Sequence, residues 1–208
     1  MTAFDITFMT VASVLGVGLI APQTSRILRT RNAAGVSVAG LVCSCISYIG
    51  WISFALHLLD IPMLVSLLLP FILEAITLGL AIRWGGELHG LSTCWIWLTA
   101  LLVASMIGWS ALGTLLAISI VWGYGPAVVE AWRAADVSGV SVVAWRVRVI
   151  DGLAWASYGL FSDQKESLIY GSAAAALACG VLSGLSRERR TSAHVDLYAI
   201  AAGPHSRR

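Results

Sequence analysis

The sequence predicts an all-α membrane protein, in which seven transmembrane helices form two parallel triple-helix bundles joined by a linker helix. Three observations support this fold class. Hydrophobic residues make up 58% of the 208 residues and charged residues only 12%. The charged share is about half that of a soluble domain, so too little polar surface is available to cover a globule in water. In addition, the arginines fall in alternate connections, in the C-terminal tail and at the start of the sixth segment, all on one side of a seven-span arrangement. The two halves of the chain also resemble each other.

The composition also limits the classes of function. A net charge of +2 is too small to indicate a nucleic-acid partner. The four cysteines lie in apolar segments, where we expect small buried hydrophobes. Cys43 and Cys45 point to different faces of one helix, which speaks against a zinc site or a redox pair. The sequence contains no nucleophile–base pattern, no phosphate-binding glycine loop and no metal-ligand spacing, so we expect no enzyme, no cofactor and no metal.

Seven segments come close to the roughly 20 apolar residues that a helix needs to cross a bilayer. The predicted spans are Phe4–Ala21, Val38–His57, Ile61–Arg83, Leu91–Ile107, Gly108–Gly125, Val142–Phe161 and Leu168–Leu185. The fourth and fifth segments abut without a charged loop, so hydropathy alone also allows six spans. The first residues lack a basic region, so we expect no cleavable signal peptide.

The distribution of arginine favours seven spans over six. Lysine and arginine in short loops mark the cytoplasmic side of a membrane protein. With seven spans, every arginine falls on one side and the single lysine, Lys165, on the other. We therefore predict an external N-terminus and a cytoplasmic C-terminus. The arginine-rich, lysine-poor composition favours a GC-rich bacterium, and hence its inner membrane.

A shift of the numbering by 104 aligns the two halves without a gap from Pro22 to Leu56. The aligned pairs are Pro22 with Pro126, Gly35–Val38 with Gly139–Val142, and Trp51 with Trp155. We predict the first three-helix repeat at residues 1–83, a linker with the fourth helix at 84–107, the second repeat at 108–185 and a disordered cytoplasmic tail at 186–208. Three spans reverse the direction of the chain, so one additional span is needed to make the two repeats parallel.

These motifs resemble a known family. Ala21-Pro22-Gln23, followed by an arginine-rich loop and Gly35-Val36-Ser37, resembles the PQ-loop motif, whereas the second copy has Ala127 in place of glutamine. The segment from Trp155 to Leu160 is similar to the W-x-x-Y-G-L segment of SWEET and SemiSWEET sugar transporters. The resemblance covers all but the tail. It implies a transporter in the lipid bilayer that moves a small solute, with a mono- or disaccharide favoured, down its gradient between the bundles.

The resemblance also selects candidate substrate-binding residues. Trp51 and Trp155 are predicted near the middle of their spans, facing each other across a central cavity. In the sugar-carrying relatives an asparagine on the third helix of each repeat binds substrate hydroxyls. Sixteen residues after each tryptophan this chain has Leu67 and Gly171 instead, and neither can bind a sugar hydroxyl through its side chain.

The PQ motif supplies candidate hinges. Pro22, with Gln23 beside it, and Pro126 are predicted at the inner ends of the first helix of each repeat. Proline removes a backbone donor and weakens the preceding turn, so each could allow half a helix to swing. The alternative is that each proline simply ends its helix.

Two acidic residues lie within predicted spans, where ionisable groups are costly and often functional. Asp151 is one turn before Trp155, and its counterpart in the first repeat is Ser47. Both are predicted to lie at the substrate-binding site. It either accepts a proton or cation or neutralises Arg148. Glu74 is either a cavity residue coupled to protons or a partner for another helix or Arg83.

Two further functions stay open. The chain could be a proton-coupled transporter of an amino acid or other zwitterion that uses Asp151 or Glu74. It could also be a membrane receptor or scaffold that binds a solute without transporting it. The sequence does not decide whether the chain forms a homo-oligomer.

Overall fold

The structure, a computed structural model, describes residues 1–133 and 141–201, and from residue 188 onward only the backbone. Gly139 and Val140 of the second Gly-Val-Ser-Val motif lie outside the described residues. Within the described ranges the chain forms seven α-helices and no strand, which confirms the predicted helical class. The helices are α1 (Ala3–Thr30), α2 (Val38–Leu58), α3 (Ile61–Arg83), α4 (Leu91–Ile107), α5 (Trp109–Arg133), α6 (Val142–Phe161) and α7 (Lys165–Ala201).

Five of these helices, α1, α2, α3, α5 and α7, are long and apolar enough to cross a membrane. They indicate an integral membrane protein. The other two predicted spans are weaker candidates for different reasons. α4 has only 17 residues, and α6 carries Arg146, Arg148 and Asp151 within its 20 residues.

Three helices run beyond the predicted spans, because loss of hydropathy marks the edge of a bilayer and does not by itself end a helix. α1 continues through Pro22 and ends only where Arg31 adopts a left-handed conformation with φ 48°. Its N–H caps the helix by donating to the carbonyl oxygen of Ile27 at 2.8 Å. α5 likewise continues past Pro126. α7 extends to Ala201, which differs from the irregular tail predicted from residue 186.

The Gly-Val-Ser-Val motif has the same local role in both repeats. Ser37 and Ser141 are the N-cap residues of α2 and α6, with ψ angles of 109° and 106°. Each serine hydroxyl accepts a hydrogen bond from the backbone N–H three residues later, at Gly40 and Ala144. Serine is a favoured N-cap because its oxygen satisfies a donor that the first turn leaves unpaired. The repeated motif therefore starts the second helix of each repeat.

The helices pack in two groups of three, which we call the first triple (α1, α2 and α3) and the second triple (α5, α6 and α7). In each triple the third helix packs against both others. The triples meet where α1 contacts α6 and α2 contacts α5. Since α5 corresponds to α1 and α6 to α2, these two contacts are equivalent under the repeat, and the interface is pseudo-symmetric. α4 contacts α2 and α5 and thus touches both triples.

The cysteines are less uniformly buried than predicted. Cys94 is buried, Cys43 and Cys45 are half-buried, and Cys179 is exposed. The Sγ atoms of Cys43 and Cys94 lie 3.4 Å apart across the contact of α2 with α4. The sequence could not reveal this pair because its members belong to different helices.

Two ends of the molecule organise the site. At the arginine-rich end, the connections that follow α1 and α3 are joined by backbone hydrogen bonds, including one from Val38 to Glu87 at 2.9 Å. The opposite end contains the connections from α2 to α3 and from α6 to α7. Between the ends, one core cluster draws buried side chains from both triples, among them Phe8, Met63, Leu116 and Tyr158.

Candidate functional site

A cavity of about 400 Å³ lies between the two triples. Its volume is within the roughly 300–1,000 Å³ that is typical of small-molecule sites. The walls come from α1, α2, α3, α5, α6 and α7. The cavity extends from the two candidate tryptophans toward the arginine-rich end, where Gln23, Thr77 and Tyr124 line it.

Pairs of positions related by the 104-residue repeat recur around this cavity, so it lies along the pseudo-symmetry axis. The lining pairs are Gly16 with Ile120, Leu19 with Gly123, Ile20 with Tyr124, Ser44 with Arg148, Ser47 with Asp151, Trp51 with Trp155, and Ser66 with Tyr170. Each of the first two helices of a repeat therefore presents the same face to the cavity. In several of these pairs one repeat has a small residue where the other has a larger one. The backbone around the cavity is therefore nearly symmetric, but the side chains that line its two halves differ.

Both candidate tryptophans line the cavity, and each is only 8% exposed. They share a neighbour, because the ring of Tyr170 lies edge-on to both. The ring centroids are 5.5 Å from Trp51 and 6.0 Å from Trp155. The three rings form an aromatic cluster at this end of the cavity, and the face of such a ring can stack against an apolar face of a small solute.

The candidate positions on the third helices differ in placement. Leu67 lines the cavity, whereas Gly171 packs against α6. A Cβ atom at Gly171 would lie 2.2 Å from the backbone nitrogen of Ala156, which leaves no room for a side chain. The neighbouring positions, Ser66 and Tyr170, both line the cavity. The count of sixteen residues from each tryptophan did not select these two hydroxyls, because each lies one position earlier on its helix.

Side-chain contacts close the end of the molecule that lies opposite the arginine-rich end, beyond Trp51 and Trp155. The Tyr158 hydroxyl lies 2.6 Å from both carboxylate oxygens of Asp60, to which it donates. The amide of Gln164 donates to the same carboxylate. The Tyr158 ring also stacks on Phe8 of α1, with centroids 3.9 Å apart. These contacts join the first triple to the second and separate the cavity from this end.

The charged candidates converge on the part of the cavity nearer the arginine-rich end. Glu74, Arg148 and Asp151 all line it. Asp151 lies beside the side chains of Arg148 and Trp155, and Glu74 lies beside Ser44. Both acids are thus cavity residues. Glu74 interacts with Ser44 and Arg148, and not with Arg83, the partner that the sequence left open.

The Arg148 guanidinium is held by aromatic side chains. It donates a hydrogen bond to the Tyr124 hydroxyl. Its central carbon lies 4.7 Å from the centroid of the Tyr124 ring and 5.5 Å from that of Trp145. Such stacking stabilises a guanidinium in a site that is poor in water.

Of the PQ motif residues, Gln23 lines the cavity. Pro22 and Pro126 lie inside α1 and α5, so neither ends its helix, contrary to the alternative that the sequence left open. The hinge role stays a prediction. A third proline, Pro70 of α3, lines the cavity and faces Gly16, where an added Cβ would lie 2.5 Å from the proline ring. The alignment of the two repeats gave no indication of this close contact between α1 and α3.

Ser47, the counterpart of Asp151, lines the cavity but already has two partners. Its hydroxyl donates to the carbonyl oxygen of Cys43 at 2.9 Å, and the Trp97 indole donates to it at 2.9 Å. Ser47 therefore joins α4 to the cavity wall.

No protein-family model and no curated protein matches this chain. The PQ-loop and SWEET resemblance accordingly rests on the motifs and the repeat alone.

Proposed function

We propose that this chain is a PQ-loop, SWEET-like membrane transporter that moves a small polar solute, a sugar of one or two rings, by alternating access between its two triples. The observation that carries the proposal is the cavity on the repeat axis. Both triples contribute to its wall. Aromatic rings line one end of the cavity, and polar groups line the other. Parallel repeats with a site between them are a known transporter plan.

In the proposed arrangement all seven helices cross the membrane, with α4 as the linker that makes the two triples parallel. The arginine-rich end faces the cytoplasm, as the positive-inside rule predicts, and the membrane is a bacterial inner membrane. The Asp60 and Tyr158 contacts then close the external side. The described conformation thus corresponds to an inward-directed cavity.

Transport would require the contacts at the external end to break while the cytoplasmic end closes. Pro22 and Pro126 lie inside the first helix of each triple, each three residues after a position that lines the cavity, Leu19 or Gly123. A bend at these prolines would reorient the last two turns of α1 and of α5 at the cytoplasmic end. The sugar ring would rest against Trp51 and Trp155 and pass down its gradient.

The second candidate is a proton-coupled transporter of an amino acid or other zwitterion. The observation that favours it is the presence of two carboxyl groups, Glu74 and Asp151, in the cavity wall. A carboxyl group inside the bilayer is costly unless it serves a site or a partner, and either group could carry a proton with the solute.

The test is the flux of radiolabelled glucose and sucrose into proteoliposomes, measured at equal pH and with an imposed proton gradient. We expect flux that does not depend on the gradient and that is lost in Trp51→Ala and in Trp155→Ala. No sugar flux from folded protein, together with uptake of a radiolabelled amino acid that follows the proton gradient, would favour the second candidate. Solute binding without flux would identify a receptor or scaffold and contradict the transporter proposal.

A further inference from the structure

The charges of the cavity do not balance. Its described wall contains two carboxyl groups, on Glu74 and Asp151, and one guanidinium, on Arg148. When all three groups are ionised, two negative charges and one positive charge give a formal charge of −1. Glu74 and Asp151 are only 8% and 9% exposed, so bulk water does little to stabilise this excess.

The single cation in this wall is already engaged. The Arg148 guanidinium donates to the Tyr124 hydroxyl and stacks over the Tyr124 and Trp145 rings. It also interacts electrostatically with both Asp151 and Glu74. An incoming anion would have to compete for a stacked guanidinium and would also meet two carboxylates, so the wall disfavours an anionic solute.

The remaining groups suit a ring that carries hydroxyls. Trp51, Trp155 and Tyr170 supply aromatic faces. The Ser66 hydroxyl donates to the Met63 carbonyl oxygen and the Ser44 hydroxyl bonds Glu74, but each hydroxyl oxygen can still accept a hydrogen bond from a solute. Aromatic faces also attract a cation that is removed from water. The cavity therefore combines a surface for a sugar ring with an uncompensated negative charge.

We propose that the transported solute is an amino sugar, a monosaccharide with one protonated primary amine, whose ring rests on Trp51 and Trp155 and whose ammonium group binds Asp151 and Glu74. This inference rests on the proposed sugar transport. A neutral sugar would leave the excess charge in place. A zwitterion would add no net charge, and its own carboxylate would need the engaged guanidinium. Apart from a proton, which either carboxyl group could take up, only a cationic solute neutralises the cavity.

The experiment compares three sugars of the same ring in proteoliposomes of the full chain at equal pH on both sides. The first is glucosamine. The second is glucose, which has a hydroxyl in place of the amine, and the third is N-acetylglucosamine, in which acetylation has converted the amine into a neutral amide. Empty liposomes measure leakage of the free amine. We expect a KM for glucosamine about tenfold below that for glucose, which corresponds to roughly 1.4 kcal/mol, and no such advantage for N-acetylglucosamine.

Two variants and a matched control assign the effect to residues. We expect the preference for glucosamine to fall toward one in Asp151→Asn and in Glu74→Gln. Glu130→Gln, which changes an exposed carboxylate on α5, should keep it. Each variant is included only if its melting temperature shows that it is folded, and the preference of the parent chain tests the inference even if neither variant folds.

The outcomes separate the two proposals. If glucose and glucosamine enter the parent liposomes with equal KM, the amino-sugar inference fails and sugar transport stands. If no sugar enters from folded protein, both proposals fail. If the preference persists in both carboxylate variants, the assignment of the ammonium to Asp151 and Glu74 is wrong.

Discussion

Asp60 and Gln164 are hydrogen-bonded to each other although 104 residues separate them in the chain. The same shift superposes the two halves of the sequence, so these residues occupy equivalent positions in the two repeats. Equivalent positions meet only near the symmetry axis, and the pair therefore marks where the axis passes through the closed end. The cavity lies along the same axis, because repeat-related residues such as Trp51 and Trp155 line it. The contacts at Asp60 thus lie on the same axis as the cavity.

Tyr158→Phe tests the strength of this closure. The change removes the hydroxyl that donates to Asp60 and keeps the ring that stacks on Phe8. A hydrogen bond to a charged group contributes about 1.5–3 kcal/mol, so we expect a lower melting temperature in detergent. Ser53→Ala is the control, because that exposed hydroxyl bonds only its own helix at Ile49. Equal melting temperatures for the two variants would show that the Tyr158 hydroxyl does not hold the closed end.

Gly171→Ala tests whether this glycine serves packing or solute binding. The added methyl would lie 2.2 Å from the backbone nitrogen of Ala156, so α6 and α7 must separate. Overpacking of this kind costs about 1–3 kcal/mol, and we expect a clear loss of thermal stability. Gly18→Ala is the matched control, since nothing lies within 4 Å of its added Cβ. A stable Gly171→Ala protein with altered solute affinity would instead support the substrate-binding role that the sequence predicted.

The Cys43 and Cys94 pair tests the position of α4. With the two Sγ atoms 3.4 Å apart, mild oxidation should link them with little movement of either helix. Mass spectrometry of the oxidised protein should find this disulfide, while Cys45 and Cys179 remain free thiols. Absence of the link, or a link from Cys94 to another cysteine, would mean that α4 does not lie against α2.

The fold was largely predictable because its main signals are local. Hydropathy located α3, α4 and α6 to the residue, and the Ser37 and Ser141 caps explain why the repeated motif starts a helix. The ends of α1, α5 and α7 were not predictable from hydropathy, since a helix can continue into polar sequence wherever its backbone is not capped.

The cavity was predicted in part. Trp51, Asp151 and Glu74 could be found because aromatic and charged residues within an apolar span are unusual. Tyr170 and Tyr124 were missed, because a tyrosine in a membrane helix is common. Only the packing of α7 against α5 and α6, and of α5 against α2, brings these two to the cavity. Contacts such as Asp60 with Tyr158 join residues 98 apart, and no local pattern encodes them.

The most direct test of alternating access is a reversible lock at the closed end. The double variant with Asp60→Cys and Gln164→Cys places two thiols where the two repeats meet. Its sugar flux into proteoliposomes is measured reduced, after mild oxidation, and again after dithiothreitol, with the parent chain and its native cysteines treated in parallel. We predict that oxidation abolishes flux in the double variant only and that dithiothreitol restores it. Undiminished flux through protein whose new disulfide is verified by mass spectrometry would contradict the account, because the solute would then cross without opening this end.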